Sequence, residues 1–457
     1  MKKYFIKFLL LSVIILFGET LLAQEVAGAL HWESASILPK LSPEFYIKTT
    51  ESGSQVLGIK TNRKNQHGLW KASVPVEGGH FYAFSIKKQV SNIADVRRAT
   101  PVNIHWLNAA GKTVLRDRDY NDKRLGLETF VDPEADWPWT ARPEIPYREK
   151  VNEDGSVTVA SVFKAPANAT HAVVELHLRW DGGAKVEWRD FSLQKTASPA
   201  KQKVKVAAVF QPFKTVPKVK TPEAAVRLFA PFIKEAADKG AKLICLPEVL
   251  TKKFTDLPND QVAEPIPGGA ATNAFQELAR QNNMYIVAGM VEGDRDTLYN
   301  TAILVGPEGF IGKYRKVVLT LAEANASGLT PGTDYPVFDT KIGKIGMMIC
   351  YDLYFPEVAR QLSRNGAEII AMPIAGGNPV LAQARAIENQ VYLVTSTYDV
   401  RGPWIKTAIF DYDGQMLDQT DKPGTLAIAE VEISELPRYW GHLGDLKADI
   451  FIQEPKN

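Results

Sequence analysis

Apolar and polar residues are patterned in two different ways along the chain. Up to about residue 195 they alternate in short β-rich runs, at 45–49, 70–75, 80–87, 102–107, 157–163, 172–179 and 186–193. Turn signals separate these runs, among them Glu77-Gly78-Gly79, the 108–111 stretch and Asp181-Gly182-Gly183. Many short strands of this kind predict an all-β, jelly-roll-like sandwich domain. From Val204 onward the runs are continuous and apolar, as in strands buried on both faces, and stretches of helical period lie between them. That alternation predicts a layered α/β domain.

Within the second half the pattern predicts a strand at 204–210 and a helix opening at Thr221-Pro222, with Ala225, Phe229, Phe232, Ile233 and Ala236 on its apolar face. Gly240 closes that helix, and a buried strand follows at 242–246. A helix at 272–282 leads to a strand at 285–291 and a hairpin of 299–305 and 310–314. Further strands are expected at 345–349, 368–372, 391–397, 407–410 and 425–431, with a helix at 381–389. The domain turns on the stretch KIGMMICYDLYFPEVARQLSRNG, residues 344–366. There a buried strand breaks at Cys350, Pro356 starts a helix and Gly366 stops it. A thiolate at such a junction is favoured by unpaired N–H groups and the helix dipole.

The division into domains follows from these textures. Residues 1–23 read as an export signal, with Lys2, Lys3 and Lys7 before the apolar run 8–17 and Leu21-Leu22-Ala23 at the cleavage site. Residues 24–195 form the β-sandwich, 196–202 (TASPAKQ) a linker, 203–437 the α/β domain and 438–457 a C-terminal tail. The mature protein is expected to be exported, periplasmic or secreted, with no membrane span.

Composition narrows the classes. Of 457 residues, 45% are hydrophobic and 23% charged, as in an ordinary globular protein. The formal charge of +2 falls to zero when the signal, with three lysines and Glu19, is removed, so nothing attracts nucleic acid. There are only two cysteines, Cys245 and Cys350, too few for a disulfide scaffold. A single bridge between them is conceivable, but a free Cys350 explains more, and Cys245 reads as core.

A nucleophilic cysteine needs a base, usually histidine. Between residues 195 and 441 there is no histidine, and only His442 follows, so both a Cys–His pair and a His-ligated zinc are excluded from this domain. The base must be a carboxylate or a lysine. Glu248, in KLICLPEVL, sits just past a buried strand. Lys316, in GKYRKVVL, sits at another strand end, with Lys313 and Arg315 as alternatives. A carboxylate, an ammonium and a thiol at such ends make a base, an oxyanion stabiliser and a nucleophile.

Two resemblances follow. The segments VEGGHFYAFSI, VNIHWLNAAGKTV, FKAPANATHAVVELHL and GGAKVEWRDFSL resemble, in order and pattern, the β-sandwich carbohydrate-binding modules. Trp137 and Trp139, flanking Pro138, could stack on sugar rings, which makes a glycan a candidate partner, although domain packing uses Trp in the same way. In the second half, LPE, YRK and ICYDLYFPE, with GDRDTLYNTAILVGPEGFIGKYRK, GTDYPVFDT and ARAIENQVYLV, resemble the nitrilase superfamily of carbon–nitrogen hydrolases. This likeness implies an α-β-β-α sandwich and a catalytic triad of Glu248, Lys316 and Cys350. It also implies a second glutamate, Glu323, that orients the lysine, and an oxyanion contact from the backbone N–H of Tyr351. Arg385, Glu388 and Asn389 match a structural helix motif.

The family likeness implies hydrolysis of a non-peptide carbon–nitrogen bond through a Cys thioester, without metal or organic cofactor. Tyr351-Asp352 stands where nitrilases carry Trp-Glu, which points to the amidase and carbamoylase branches and a small-molecule amide substrate. The segment 374–384 is shorter than in relatives and lacks their aromatic residue there. Pairing through helical faces and tails in relatives implies a homo-oligomer. The alternatives are a glycan- or protein-binding chain with an inactive hydrolase half, and a nitrile or carbamoyl hydrolase.

Overall fold

The computed structural model describes residues 30–51, 53–117, 141–399, 403–439 and 445–453. The expected export signal, Trp137, Trp139 and His442 lie outside them. The chain divides into two compact units, Met1–Pro199 together with Glu435–Asn457, and Ala200–Ser434.

The first unit is built mainly of β-strands. In chain order it has β1 (Glu33–Ser36), β2 (Glu44–Thr49), β3 (Gln55–Lys60), β4 (His67–Pro75), β5 (Phe81–Ser91), α1 (Val96–Ala99), β6 (Val102–Leu107), β7 (Arg148–Val151), β8 (Val157–Lys164), β9 (His171–Arg179) and β10 (Lys185–Thr196). They form a four-stranded sheet, β1-β4-β9-β6, and a six-stranded sheet, β2-β3-β10-β5-β8-β7, with antiparallel neighbours throughout. Because side chains alternate across a strand, every second residue is buried: Val102, Ile104 and Trp106 on β6, Tyr82, Phe84 and Ile86 on β5. Both sheets contribute to one core, Trp70, Trp106 and Val174 from the first, Ile59, Phe84, Val159 and Trp188 from the second. Lys88 also falls on a buried β5 position. Its ammonium is satisfied by Glu149 at 2.6 Å and Thr100 at 3.1 Å.

The second unit holds β11 (Gln202–Phe210), α2 (Pro222–Arg227), α3 (Ala230–Asp238), β12 (Ala241–Cys245), α4 (Leu250–Lys253), α5 (Asn259–Val262), α6 (Ala270–Asn282), β13 (Tyr285–Asp294), β14 (Thr297–Gly306), β15 (Gly309–Arg315) and α7 (Leu321–Ala326). There follow β16 (Val337–Thr340), β17 (Gly343–Met347), α8 (Pro356–Arg364), β18 (Ile369–Pro373), α9 (Pro379–Asn389), β19 (Tyr392–Ser396), β20 (Thr407–Phe410), β21 (Met416–Thr420) and β22 (Thr425–Ile433). Two mixed six-stranded sheets result, β15-β14-β13-β12-β11-β22 and β16-β17-β18-β19-β20-β21, with β11-β12-β13 and β17-β18-β19 parallel.

The continuous apolar runs are explained by burial on both faces. On β11, Ala207 and Val209 pack under α2, α3 and α6 with Val226, Ile233 and Phe275. The alternate residues Val206 and Ala208 belong to a second core with Met347, Ile369 and Val394 of the other sheet, which α8 and α9 join through Val358, Leu362 and Ala386. One expected helix is interrupted. The stretch opening at Pro222 stops at Arg227 and restarts at Ala230, because Pro231 lacks an N–H and its ring would strike the carbonyl of residue 227.

The last segment, Glu435–Asn457, belongs to the first unit. The helix α10 (Leu446–Gln453) buries Ala448, Ile450 and Phe451, and the Arg97 guanidinium lies 4.1 Å from the centre of the Phe451 ring. Tyr439 donates to buried Glu144 at 2.8 Å, and the Arg116 guanidinium covers the Tyr439 ring at 4.1 Å. Burial first, against the pull of Arg116 and Tyr439, raises the Glu144 pKa. Among the described residues no helix is long and apolar enough to cross a membrane. Tyr439→Phe strands an acceptor on Glu144, so it is expected to lower the stability of this unit by about 1–3 kcal/mol in a urea melt followed by tryptophan fluorescence. An unchanged midpoint would contradict that role for the tyrosine.

Candidate active site

Each reactive side chain emerges just past a strand end. β12 ends at Cys245, and Pro247 and Glu248 follow it. The backbone then enters the left-handed region at Val249, with φ of 39°. This bend lies so close to β13 that a Cβ on Gly289 would stand 2.6 Å from Glu248 Cα and from Val249 N. Glycine at 289 is therefore required by space, since backbone atoms cannot swing aside. Lys316 follows β15, its N–H bonded to Asn300 O and its carbonyl to Gly332 N, both at 2.8 Å. Cys350 begins a 3-10 turn, Cys350–Tyr354, at φ 45°, beyond β17.

These chain segments, remote in sequence, bring their functional groups together. Lys316 Nζ donates to Glu248 Oε1 at 3.0 Å and to both oxygens of Glu323 at 2.9 and 2.8 Å. The Cys350 thiol adjoins the Glu248 carboxylate and the backbone N–H of Ala375. Lys316 is 1% exposed and Glu248 4%, while Glu323 and Cys350 are partly buried. Glu323 is held by its own helix: its carboxylate accepts from Thr320 N at 2.8 Å and Thr320 Oγ1 from Glu323 N at 3.2 Å, a capping box on α7. The Tyr351 amide is the next peptide group in the nucleophile's turn.

Proton affinities follow from this packing. Burial works against the Lys316 charge, but Glu248, the Cys350 sulfur and Glu323 outweigh it and raise the pKa above the ordinary 10.5. Burial raises Glu323, yet Lys316 and the Thr320 and Asn300 donors bring it below the ordinary 4.5. Burial, and then Glu248, push the Cys350 thiol well above 9.0 against the pull of Lys316 and Ala375 N–H. The resting sulfur is thus a thiol. The expectation of a dipole-stabilised thiolate fails because α8 begins only at Pro356, six residues on, while a carboxylate adjoins the sulfur.

The other sequence candidates are used elsewhere. Lys313 and Arg315 both pair with buried Glu292, and Arg315 also with Asp294 at 2.7 Å. Cys245 is fully buried in the core and, like Cys350, forms no disulfide. Arg385 donates to Leu353 O at 3.1 Å and Glu388 at 2.8 Å, bracing the turn that carries Cys350.

Three positioning residues escaped the sequence reading. Asn300 Nδ2 bridges Glu248 Oε1 at 2.9 Å and Glu323 Oε1 at 2.8 Å, keeping two carboxylates in one register. Asp352 accepts from Tyr314 and Ile349 N at 2.8 Å and from Val318 N at 2.9 Å, tying the Cys350 turn to the segment after Lys316. Burial raises the Asp352 pKa to about 6, with those three donors opposing it. Gly289 is the third. A polar residue inside an apolar run was the available signal for Asn300.

The carbon-nitrogen hydrolase family profile matches residues 205–439. A nitrilase of Pyrococcus abyssi (strain GE5 / Orsay) is 41% identical over 187 residues, 39% of this chain and 71% of that protein. The omega-amidase NIT2 of Mus musculus is 29% identical over 248 residues, 49% of this chain and 90% of that protein. Among solved structures, Saccharomyces cerevisiae Nit3, a member of branch 10 of the nitrilase superfamily, is 28% identical with a TM-score of 0.44, covering 50% of this chain and 90% of its own.

Two outcomes are expected. Gly289→Ala forces the Glu248 backbone away from Lys316, costing roughly 1–3 kcal/mol of stability in a denaturant melt; a neutral effect would mean the bend adapts freely. The stability that Glu323 gains from its depressed pKa is fully present above the ordinary 4.5 and is lost as pH falls through the lower folded value. The difference in melting temperature between wild type and Glu323→Gln should therefore be largest near neutrality and shrink in acid, and a difference independent of pH would contradict the assignment.

Proposed function

The chain belongs to the carbon-nitrogen hydrolase family, and we propose that it hydrolyses the amide of a small or terminal carboxamide through a thioester on Cys350. The observation that carries this reading is the buried Lys316 ammonium between Glu248 and Glu323, with the Cys350 thiol beside Glu248. A thiol at rest beside a carboxylate is the starting point of general-base catalysis, since the acceptor for its proton is already adjacent.

In this scheme Glu248 takes the thiol proton as sulfur attacks the carbonyl carbon. The developing oxyanion is met by the Lys316 ammonium and the Tyr351 N–H, donors whose positions are set before substrate arrives. Glu248 then passes its proton to the departing nitrogen and ammonia leaves, with the acyl group on sulfur. A water molecule, deprotonated by the same carboxylate, attacks the thioester. The acid departs, and the proton returns to sulfur. Glu323 takes no proton. It holds Lys316 charged and aimed, so that one carboxylate can move protons without losing the cation beside it.

The Pyrococcus abyssi relative supports a second reading, attack of the same sulfur on a nitrile carbon. Export is part of the proposal and rests on the sequence of residues 1–23. The test is ammonia release from matched amides and nitriles. The amide member is expected to turn over faster, with Glu248→Gln lowering kcat by about 10²–10⁴-fold and Cys350→Ala abolishing acylation. Nitriles turning over faster than their amides would select the second reading. Release from no compound, with Cys350 labelled equally fast in wild type and Glu248→Gln by an amide-derived electrophile, would favour a binding protein with an inactive hydrolase unit.

A further inference from the structure

Trp404 packs on the backbone that follows Ala375, from a segment that carries none of the triad. A Cβ placed on Gly376 would fall 2.0 Å from Cε3, 2.6 Å from Cζ3 and 3.0 Å from Cδ2 of Trp404, so the indole lies directly on the Gly376 backbone. Gly376 follows Ala375, whose N–H meets the Cys350 sulfur. The indole is pinned by its neighbour in sequence: Ile405 donates to Gly377 O at 2.7 Å and is itself buried. On the other side of this glycine shelf stands the nucleophile's own turn. The Tyr354 hydroxyl is 4.0 Å from where a Cβ on Gly377 would be, and the Tyr354 ring packs on Tyr351 at 5.4 Å.

Both aromatic residues are incompletely covered, Trp404 at 38% and Tyr354 at 44% exposure. Two more exposed apolar side chains of this unit, Leu321 and Val380, belong to segments that carry or border the reactive groups. The charges of the centre, by contrast, are paired with one another. A shelf of two glycines flanked by two aromatic rings, next to the Ala375 N–H that adjoins the sulfur, is an apolar surface available to whatever the carbonyl carries.

We propose that Trp404, with Tyr354, forms the wall that selects the acyl group, so that amides with an apolar or aromatic acyl part are favoured over acetamide-sized ones. This deepens the amidase reading and rests on it. Gly376 is required for space, since any side chain there would displace the indole.

The test compares phenylacetamide, butyramide and acetamide in wild type, Trp404→Ala, Trp404→Phe and Gly376→Ala, with binding of the same amides to Cys350→Ala protein measured by calorimetry. The ratio of kcat/KM for phenylacetamide over acetamide should fall about tenfold or more in Trp404→Ala, mainly through KM, in the range that lost apolar contacts give to discrimination. Trp404→Phe should restore most of it, and Gly376→Ala should reproduce the loss. An unchanged ratio, or equal losses for every amide, would overturn the proposal and leave the amidase reading intact. Absence of turnover for all amides, with Trp404-dependent preference for phenylacetamide in binding, would uphold the wall and overturn the amidase reading.

Discussion

A lysine ammonium buried between two carboxylates is the constraint on which the rest of the site depends. Taking such a charge out of water costs several kcal/mol, recovered only when partners are close and well aimed. Lys316 meets that condition by donating three hydrogen bonds of 2.8 to 3.0 Å, two of them to one carboxylate. Two acids and one base leave the cluster net negative, and this excess, with desolvation, keeps the neighbouring sulfur protonated. The arrangement is therefore poised for proton transfer on demand. It also couples stability to chemistry: removing Lys316 leaves two carboxylates facing each other without a cation.

The fold supplies the aim. Glu248 and Lys316 come from the ends of β12 and β15 in one sheet, and Cys350 from beyond β17 in the other. Two sheets buried on both faces are poor at sliding, so strand ends are fixed points. The remaining freedom is removed locally. The helix cap orients Glu323, Asn300 spans both carboxylates, and Asp352 fastens the nucleophile's turn to the segment that follows Lys316. The space at Gly289 allows the Glu248 bend to sit against β13 at all.

Much of this was legible in the sequence because burial on both faces leaves continuous apolar runs, and charges just beyond such runs stand out. Glu248 and Cys350 stand out in that way, Lys316 only as one of three cations near a strand end, and the strand expected at 407–410 matches β20. The choice of Lys316 over Lys313 and Arg315 was not available locally, since the competing partner, Glu292, is far away in sequence. Asn300, Asp352 and Trp404 have roles defined by contacts across the fold, which no window of neighbouring residues encodes. The protonation of Cys350 depends on Glu248 rather than on its own helix, so reasoning from the junction alone gave the wrong sign. The short strands β1, β3 and β7 lacked a distinct period, and Pro231 broke a helix whose apolar stripe ran on unbroken.

The central claim is that sulfur carries the acyl group while Glu248 and Lys316 manage the proton and the oxyanion. Rapid quenching of the wild-type protein during turnover of a slow amide, followed by intact-mass measurement and peptide mapping, tests it most directly. One acyl group per chain on the peptide containing Cys350, released by hydroxylamine, is the predicted result. Turnover at an undiminished rate with no acyl group on that cysteine would contradict the account.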